Sequence, residues 1–596
     1  MPVPYQAPIE DMTFIIEHVL DSQAIAKLPD HQDFTPDLIE AVLNEAGKFT
    51  GDVISPLNRV CDTHGAKLDA QHRVTTAPGF KAAYDQYVSG GWNGLAGNPA
   101  YGGQGLPELL ATATNEMMHS ASMSFGLCPM LTAGAIRAIE HHGSPTQKQT
   151  YLPKLISGQW AGTMNLTEPQ AGSDLAAITC KAEPQGDHYL ISGVKIYITY
   201  GEHDLTENIV HLVLARIPGA PAGVKGISLF IVPKFVLQPD GSLGSRNDVK
   251  CLSLEHKLGI HGSPTAVMQY GEQGGAVGFL VGQPNEGLAC MFTMMNHARL
   301  NVGLQGVAIA ERALQQAQWY AHDRVQGKTL LANTDVKQPA PIAFHPDVRR
   351  LLASMQCRVQ AMRALTYEAA AQMDLCRASA DPEVVAQAQA RVDVLIPVVK
   401  GWCTEQSQDI ASMAIQVHGG MGYVEETGAA QHLRDARITT IYEGTTAIQA
   451  NDFVGRKILR DEGQAMALVL DAVAQTVKDL SSCSNAGLTR LGQQLHDGHQ
   501  ALSQVVAWIL AHGRSNPAAV YFGSVPALLL AGDVLGGWMT GRAALTSQRP
   551  ELIDNPIAQT AYRTALVYGD LVLLPALGQA QLIMCAEHTI GQAITI

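Results

Sequence analysis

No Cys-x-x-Cys pair occurs among the ten cysteines, so neither a zinc pattern nor a disulfide framework is indicated. Reduced, buried thiols are the default. There is no basic excess: 40 Lys and Arg stand against 54 Asp and Glu, a formal net charge of −14 that argues against a nucleic-acid surface. The start, Met1 to Met12, carries Glu10 and Asp11 and lacks the basic opening and apolar run of a signal peptide. Clean long apolar runs are missing too. Val525–Met539 is interrupted by Asp533, and Leu571–Ala586 by Gln579 and Gln581, so both read as core helices rather than bilayer spans. His141-His142 and His256 with His261 lack carboxylates at ligand spacing, so no metal is expected. Together these point to a cytoplasmic protein. Aromatics are scarce at 6% while Gly and Ala are plentiful, which suits closely packed helices. At 596 residues the chain exceeds one ordinary core, and several domains are expected.

Residues 1–35 read as an N-terminal extension, a Pro-containing piece followed by an amphipathic segment with Phe14, Ile15, Ile16 and Val19. From 36 to 160 the period is helical, as in Leu38, Ile39, Val42 and Leu43. The Gly-rich stretch Gly97–Gly105 lacks a strand before it and reads as a loop rather than a phosphate cradle. Over 161–283 the period changes. His188–Thr199, Asn208–Ile217 and Gly226–Phe235 are rich in Ile, Val, Leu and Tyr between turns, and predict antiparallel strands. Helical periodicity returns over 284–465, broken by a Pro-rich loop at Asn333–Pro346. Ser481–Gly487 is the best linker candidate inside a last helical block, 466–596. The fold class expected is mainly α with a central β-barrel-like domain.

The most informative stretch is Ile441-Tyr442-Glu443-Gly444-Thr445-Thr446-Ala447-Ile448-Gln449. A lone carboxylate sits on a Gly turn, and the Thr pair behind it can cap the following helix. Such a group suits proton abstraction at a dry site, and equally fits a surface Glu in a helix-start turn. A second stretch, Met164-Asn165-Leu166-Thr167-Glu168-Pro169-Gln170-Ala171-Gly172-Ser173-Asp174, exposes backbone N–H groups next to a Pro-stiffened turn.

With Ile196-Tyr197-Ile198-Thr199 and Gln416-Val417-His418-Gly419-Gly420-Met421-Gly422, these stretches closely resemble the acyl-CoA dehydrogenase family over about 36 to 460. The resemblance implies an FAD enzyme that converts an acyl-CoA to its trans-2-enoyl-CoA, with Glu443 as base and Arg299 near the catalytic centre. A base on the helix after the β domain would stand at Ala298, which cannot serve. Leu166 and Thr167 match residues touching the isoalloxazine, with Gly172 in the same motif. Ser173 matches a serine near the pyrophosphate and acyl-CoA. Tyr197 stands where an aromatic covers the flavin, beside Ile198, and Thr199 where a hydroxyl bonds near N5. Arg324, Gln326, Gln416, Gly419 and Gly420 would serve a neighbouring copy's FAD, and Thr445 the ADP part. Tyr442 and Gly444 flank the base on the substrate side, and Gly126 and Met130 fall on the helix closing the acyl pocket. His418 reads as a locally bonded or packed residue rather than a catalytic one.

There are departures from the family pattern. The usual Arg-x-x-Phe-Gly reads Arg324-Val325-Gln326-Gly327, and Ala447 replaces a common Gln. The start and the last block look like the longer bacterial branch, which includes 3-methylthiopropionyl-CoA dehydrogenases and long-chain enzymes. Implied partners are an acyl-CoA and an electron-transfer flavoprotein, the latter favoured over oxygen by those bacterial features and by the Ala593–Ile596 ending, which is no peroxisomal signal. The last block is expected to pack as extra helices and leave a homodimer, since its apolar runs lack the basic face of a membrane-surface module. The alternatives are an acyl-CoA oxidase and a non-catalytic relative.

Overall fold

The computed structural model describes residues 4–330 and 339–592. Asn333–Gln338 of the expected loop, and the Met1–Val3 and Ala593–Ile596 ends, lie outside the described residues. Contacts group the chain into two units. One comprises Met1–Lys48, Pro107–Ser120 and Arg299–Ile596, the other Phe49–Leu106 and Ala121–Ala298.

The second unit carries an eight-stranded sheet. Its hub is the strand His188–Thr199, which pairs antiparallel with Lys181–Gln185, Thr265–Tyr270 and Ala276–Val281. Beyond Ala276–Val281 follow Ser228–Pro233, then Asn208–Ala215, then Trp160–Asn165. The sequence predicts antiparallel pairing, but this last pair is parallel, Trp160 opposite Asn208 and Asn165 opposite Val213. Both strands are buried along their whole length. Burial on both faces removes the alternation by which a strand is recognised, and suits parallel pairing. Ile191, Ile198, Phe230, Met268 and Tyr270 meet in the core of the sheet. The helix Met123–His142 starts at Ser122, whose hydroxyl accepts from the Phe125 N–H, and packs on the sheet where Gly162 meets Ala135.

The first unit is helical. Long helices run Pro346–Ala378 and Pro382–His418, followed by Gln464–Ser482, Ala486–His512 and Ser524–Thr546. The expected linker is only a turn, Cys483–Asn485, in which the Asn485 side chain accepts from the N–H groups of Gly487 and Leu488. The last block is bonded to the rest of this unit. The Trp402 indole N–H donates to Asp533 Oδ1 at 2.9 Å, and Arg542 Nη2 donates to the Val19 carbonyl at 2.6 Å. Gly532 lies flat on Trp402, where an added Cβ would fall 2.1 Å from the indole Cγ. Gly532→Ala is therefore expected to destabilise by about 1–3 kcal/mol through overpacking, read as a lowered unfolding midpoint with the secondary-structure signal intact.

Among the described residues one helical stretch, Pro556–Met584, is long and apolar enough to cross a membrane, longer than the run recognised in the sequence. It is broken by a π turn at Gly569–Leu573, and its buried Ala558, Ala565, Tyr568, Val572 and Ile583 pack inside the bundle.

Buried charge binds the bundle across three helices. Arg363 Nε donates to Glu116 Oε1 at 2.8 Å and Nη2 to Glu311 Oε2 at 2.7 Å, while the Tyr367 hydroxyl donates to Glu116 Oε2 at 2.7 Å.

Candidate active site

In the helical unit, a 3-10 turn over Arg437–Thr440 delivers the chain to Glu443, and the helix Thr446–Asp452 starts three residues later. The Thr445 hydroxyl accepts from the Ile448 N–H at 3.3 Å and caps that helix. Between them the backbone is left-handed twice in succession, at Glu443 with φ 54° and at Gly444 with φ 87°. Gly suits the second position, but a Glu at positive φ is strained and persists only where its surroundings hold it. The Gln449 amide supplies part of that hold, donating to the Glu443 carbonyl at 3.0 Å. Lys400, reaching from the Pro382–His418 helix, donates to the Gly444 carbonyl at 2.6 Å.

Glu443 keeps some exposed surface on one side while packed protein encloses its carboxyl. That enclosure pushes its pKa up to about 7, against the downward pull of Arg299 and Lys400. Arg299 is held in place by Asp452, Nη1 to Oδ2 at 3.0 Å, with both groups buried. The Tyr442 hydroxyl donates to Gln305 Oε1. The Glu443 N–H makes no hydrogen bond among the described residues and stays free to donate.

The neighbouring-copy candidates lie elsewhere in this unit. Gln416, Gly419 and Gly420 are exposed at the far end of the Pro382–His418 helix. Sixteen residues separate Gln416 from Lys400, which puts them ~24 Å apart along the axis at 1.5 Å per residue. A Cβ at Gly419 or Gly420 would meet nothing within 4 Å. Arg324 and Gln326 are exposed as well, and touch each other at 3.4 Å. His418 stacks on Tyr320 at 4.4 Å and its Nδ1 lies 2.7 Å from the Ala414 carbonyl, a packed and locally bonded residue.

In the β unit, Leu166 and Thr167 emerge from the strand Trp160–Asn165. Thr167 accepts from the Ile196 N–H at 2.9 Å, which ties this turn to the Tyr197 segment. The N–H groups of Leu166 and Thr167 themselves make no hydrogen bond among the described residues. Gly172 and Ser173 are exposed in the following turn, and a Cβ at Gly172 would meet open space. Tyr197 has φ 59° and is 61% exposed, its ring standing off the sheet, while Ile198 is buried and Thr199 half-buried. Free backbone donors, an open glycine, a hydroxyl and an exposed ring at the joined ends of two strands fit a planar cofactor with a phosphate tail. Tyr200 donates to the Ser124 carbonyl at 2.7 Å and so ties this strand end to the helix bearing Gly126 and Met130, both buried.

Sequence reasoning missed the groups that hold these turns. Lys195 is fully buried and donates to Leu166 O at 2.9 Å and Glu168 Oε1 at 2.8 Å. Burial alone would raise the Glu168 carboxyl, but Lys195, the Thr179 N–H and the Cys180 side chain bring it down to about 2. Lys400 was missed in the same way. Its one visible signal is a lone charge inside the apolar run Leu395–Trp402.

Models of known families match nearly the whole chain. The acyl-CoA dehydrogenase N-terminal domain matches 40–159, the middle domain 163–272, the C-terminal domain 285–458, and an "Acetyl-CoA dehydrogenase C-terminal like" domain 469–592. The chain is 47% identical to the 3-methylmercaptopropionyl-CoA dehydrogenase of Ruegeria pomeroyi over 574 residues, 96% of each chain. It is 35% identical to a butyryl-CoA dehydrogenase of Syntrophomonas wolfei, covering 87% of this chain and 85% of that one. An acyl-CoA dehydrogenase from Bacillus anthracis, solved with FAD, shares the fold at TM-score 0.73 and 20% identity, over 96% of this chain and 91% of that one.

Proposed function

The chain belongs to the acyl-CoA dehydrogenase family, and from that premise we propose that it oxidises an acyl-CoA thioester to the trans-2-enoyl-CoA with Glu443 as the base. The observation that carries this reading is the carboxylate of Glu443, fixed on a strained turn with its pKa raised to about 7. A free carboxylate is too weak to remove the α proton of a thioester. Enclosure narrows the gap by raising its basicity, and burial of the bound acyl chain would remove remaining water. The free Glu443 N–H can donate to the thioester carbonyl as negative charge develops there. FAD is the cofactor, and supplies the hydride acceptor at N5 when bound. Leu166, Thr167, Ser173, Tyr197 and Thr199 would hold its ring and pyrophosphate, with Thr445 toward its ADP part. In this reading Arg324, Gln326, Gln416, Gly419 and Gly420 serve the FAD of a second copy. An electron-transfer flavoprotein takes the electrons; the dehydrogenase names of the relatives support this over oxygen. The likeness to the Ruegeria enzyme over almost the full length of both chains supports 3-methylmercaptopropionyl-CoA as the first substrate to test.

The raised carboxyl sets the sign of the pH dependence. The base form exists above its pKa, so kcat/KM of the holoenzyme should rise through about pH 7 as one proton is lost and level off above it. A profile flat from pH 5.5 to 9, as a surface Glu would give, counts against the assignment.

A further inference from the structure

The turn bearing Glu443 is gripped from behind by a charged group that the reaction above does not use. Lys400 is fully buried, and its hydrogen-bond acceptor among the described residues is a neutral carbonyl, that of Gly444. Its neighbours on the helix cannot move aside. At Gly401 an added Cβ would fall 2.6 Å from Leu528 and 3.5 Å from Gln449, and Trp402 is pinned by Asp533 at 2.9 Å. The same Gln449 holds the Glu443 carbonyl, so two consecutive carbonyls of the left-handed turn are each fixed by a buried donor.

We propose that Lys400 is a positioning residue for the base: its ammonium locks the Glu443–Gly444 turn and supplies positive charge that favours the ionised Glu443 carboxylate before substrate arrives. The inference rests on Glu443 being the base. Other charges around the pair are already matched or bonded elsewhere. Arg299 faces both groups but is paired with Asp452, which Arg456 also approaches at 3.4 Å. Glu405, on the same helix as Lys400, accepts from the Thr446 hydroxyl. Tyr442 is bonded to Gln305, and Asp435 faces Tyr442. Burial pushes the Lys400 ammonium down to about 7 and the Glu443 carboxyl up to about 7, and each favours the charged form of the other. A buried lysine that bonds only a carbonyl costs more than an apolar side chain would. A purely structural clamp needs no charge.

The test uses the FAD-loaded protein with Lys400→Met, which removes donor and charge, and Lys400→Gln, which keeps a donor without charge. Both should move the acid limb of kcat/KM upward by about 1–2 pH units, the shift a neighbouring unit charge gives in a protein interior. Both should also slow exchange of the substrate α-deuterium with solvent at pH 6.5 and recover at pH 9. That exchange reads the base without hydride transfer. A uniform loss of rate with an unmoved limb in either variant overturns the charge role, even if the turn is loosened. Glu443→Gln separates the two levels. If it turns over normally, the base assignment fails; if it is dead while the Lys400 variants keep the wild-type limb, only the present inference fails.

Discussion

Glu443→Gln is expected to purify yellow, with FAD bound, and to lose turnover by roughly 10²–10⁴-fold, the range a positioned general base supplies. The substitution keeps the size of the side chain and a hydrogen-bonding oxygen but removes the basic lone pair. The turn should survive, because what fixes it is not the carboxylate: Gln449 and Lys400 hold the two backbone carbonyls, and Thr445 caps the next helix. No flavin-contact candidate in the β unit is altered. Anaerobic mixing with an acyl-CoA, followed at the flavin absorbance, measures the step directly. Bleaching at the wild-type rate would remove Glu443 from the reaction.

Arg363→Met is expected to lower the unfolding free energy by about 3–5 kcal/mol, the usual cost of leaving buried charge without its partner. Arg363 is fully buried between Glu116 and Glu311, and Met has nearly its length but none of its donors. Burial already raises the Glu116 carboxyl in the intact protein, and without the guanidinium it would rise further. A carboxyl whose pKa is higher folded than unfolded binds its proton more tightly in the folded state, so stability falls as pH rises through the folded pKa. The variant should therefore be less impaired at pH 5 than at pH 8. Denaturation at the two pH values checks this, and an equal loss at both would place the damage in packing rather than charge.

The order of helical and β segments was legible because helices keep their period and most strands their β-branched and aromatic composition. His188–Thr199, Asn208–Ala215 and Ser228–Pro233 could be read from their Ile, Val, Leu and Tyr between turns, the last two although buried at every position. Trp160–Asn165, with Ala, Gly and Asn and no Ile or Val, could not, and its parallel pairing had no local signature. The strand Lys181–Gln185 contains a proline and mostly exposed side chains, against the usual strand composition. At the site the contrast is similar. Glu443, Ser173 and Tyr197 stood out because their neighbours in sequence are unusual. Lys195, Glu168 and Lys400 did not, since what matters about them is contact with residues far along the chain. A buried ammonium looks, in the sequence, like any other lysine. The linker expected at Ser481–Gly487 comes down to three irregular residues between helices, which say nothing of what those helices rest on.

The flat contact of Gly532 on the Trp402 indole also bears on how the protein can be cut. A version trimmed after the Thr446–Asp452 helix would strip the cover from an indole and from the seam at Gly401, the two positions that follow Lys400 on its helix. Water would then reach the helix that carries the ammonium. The terminal helices thus back the helix from which Lys400 reaches the turn of the carboxylate.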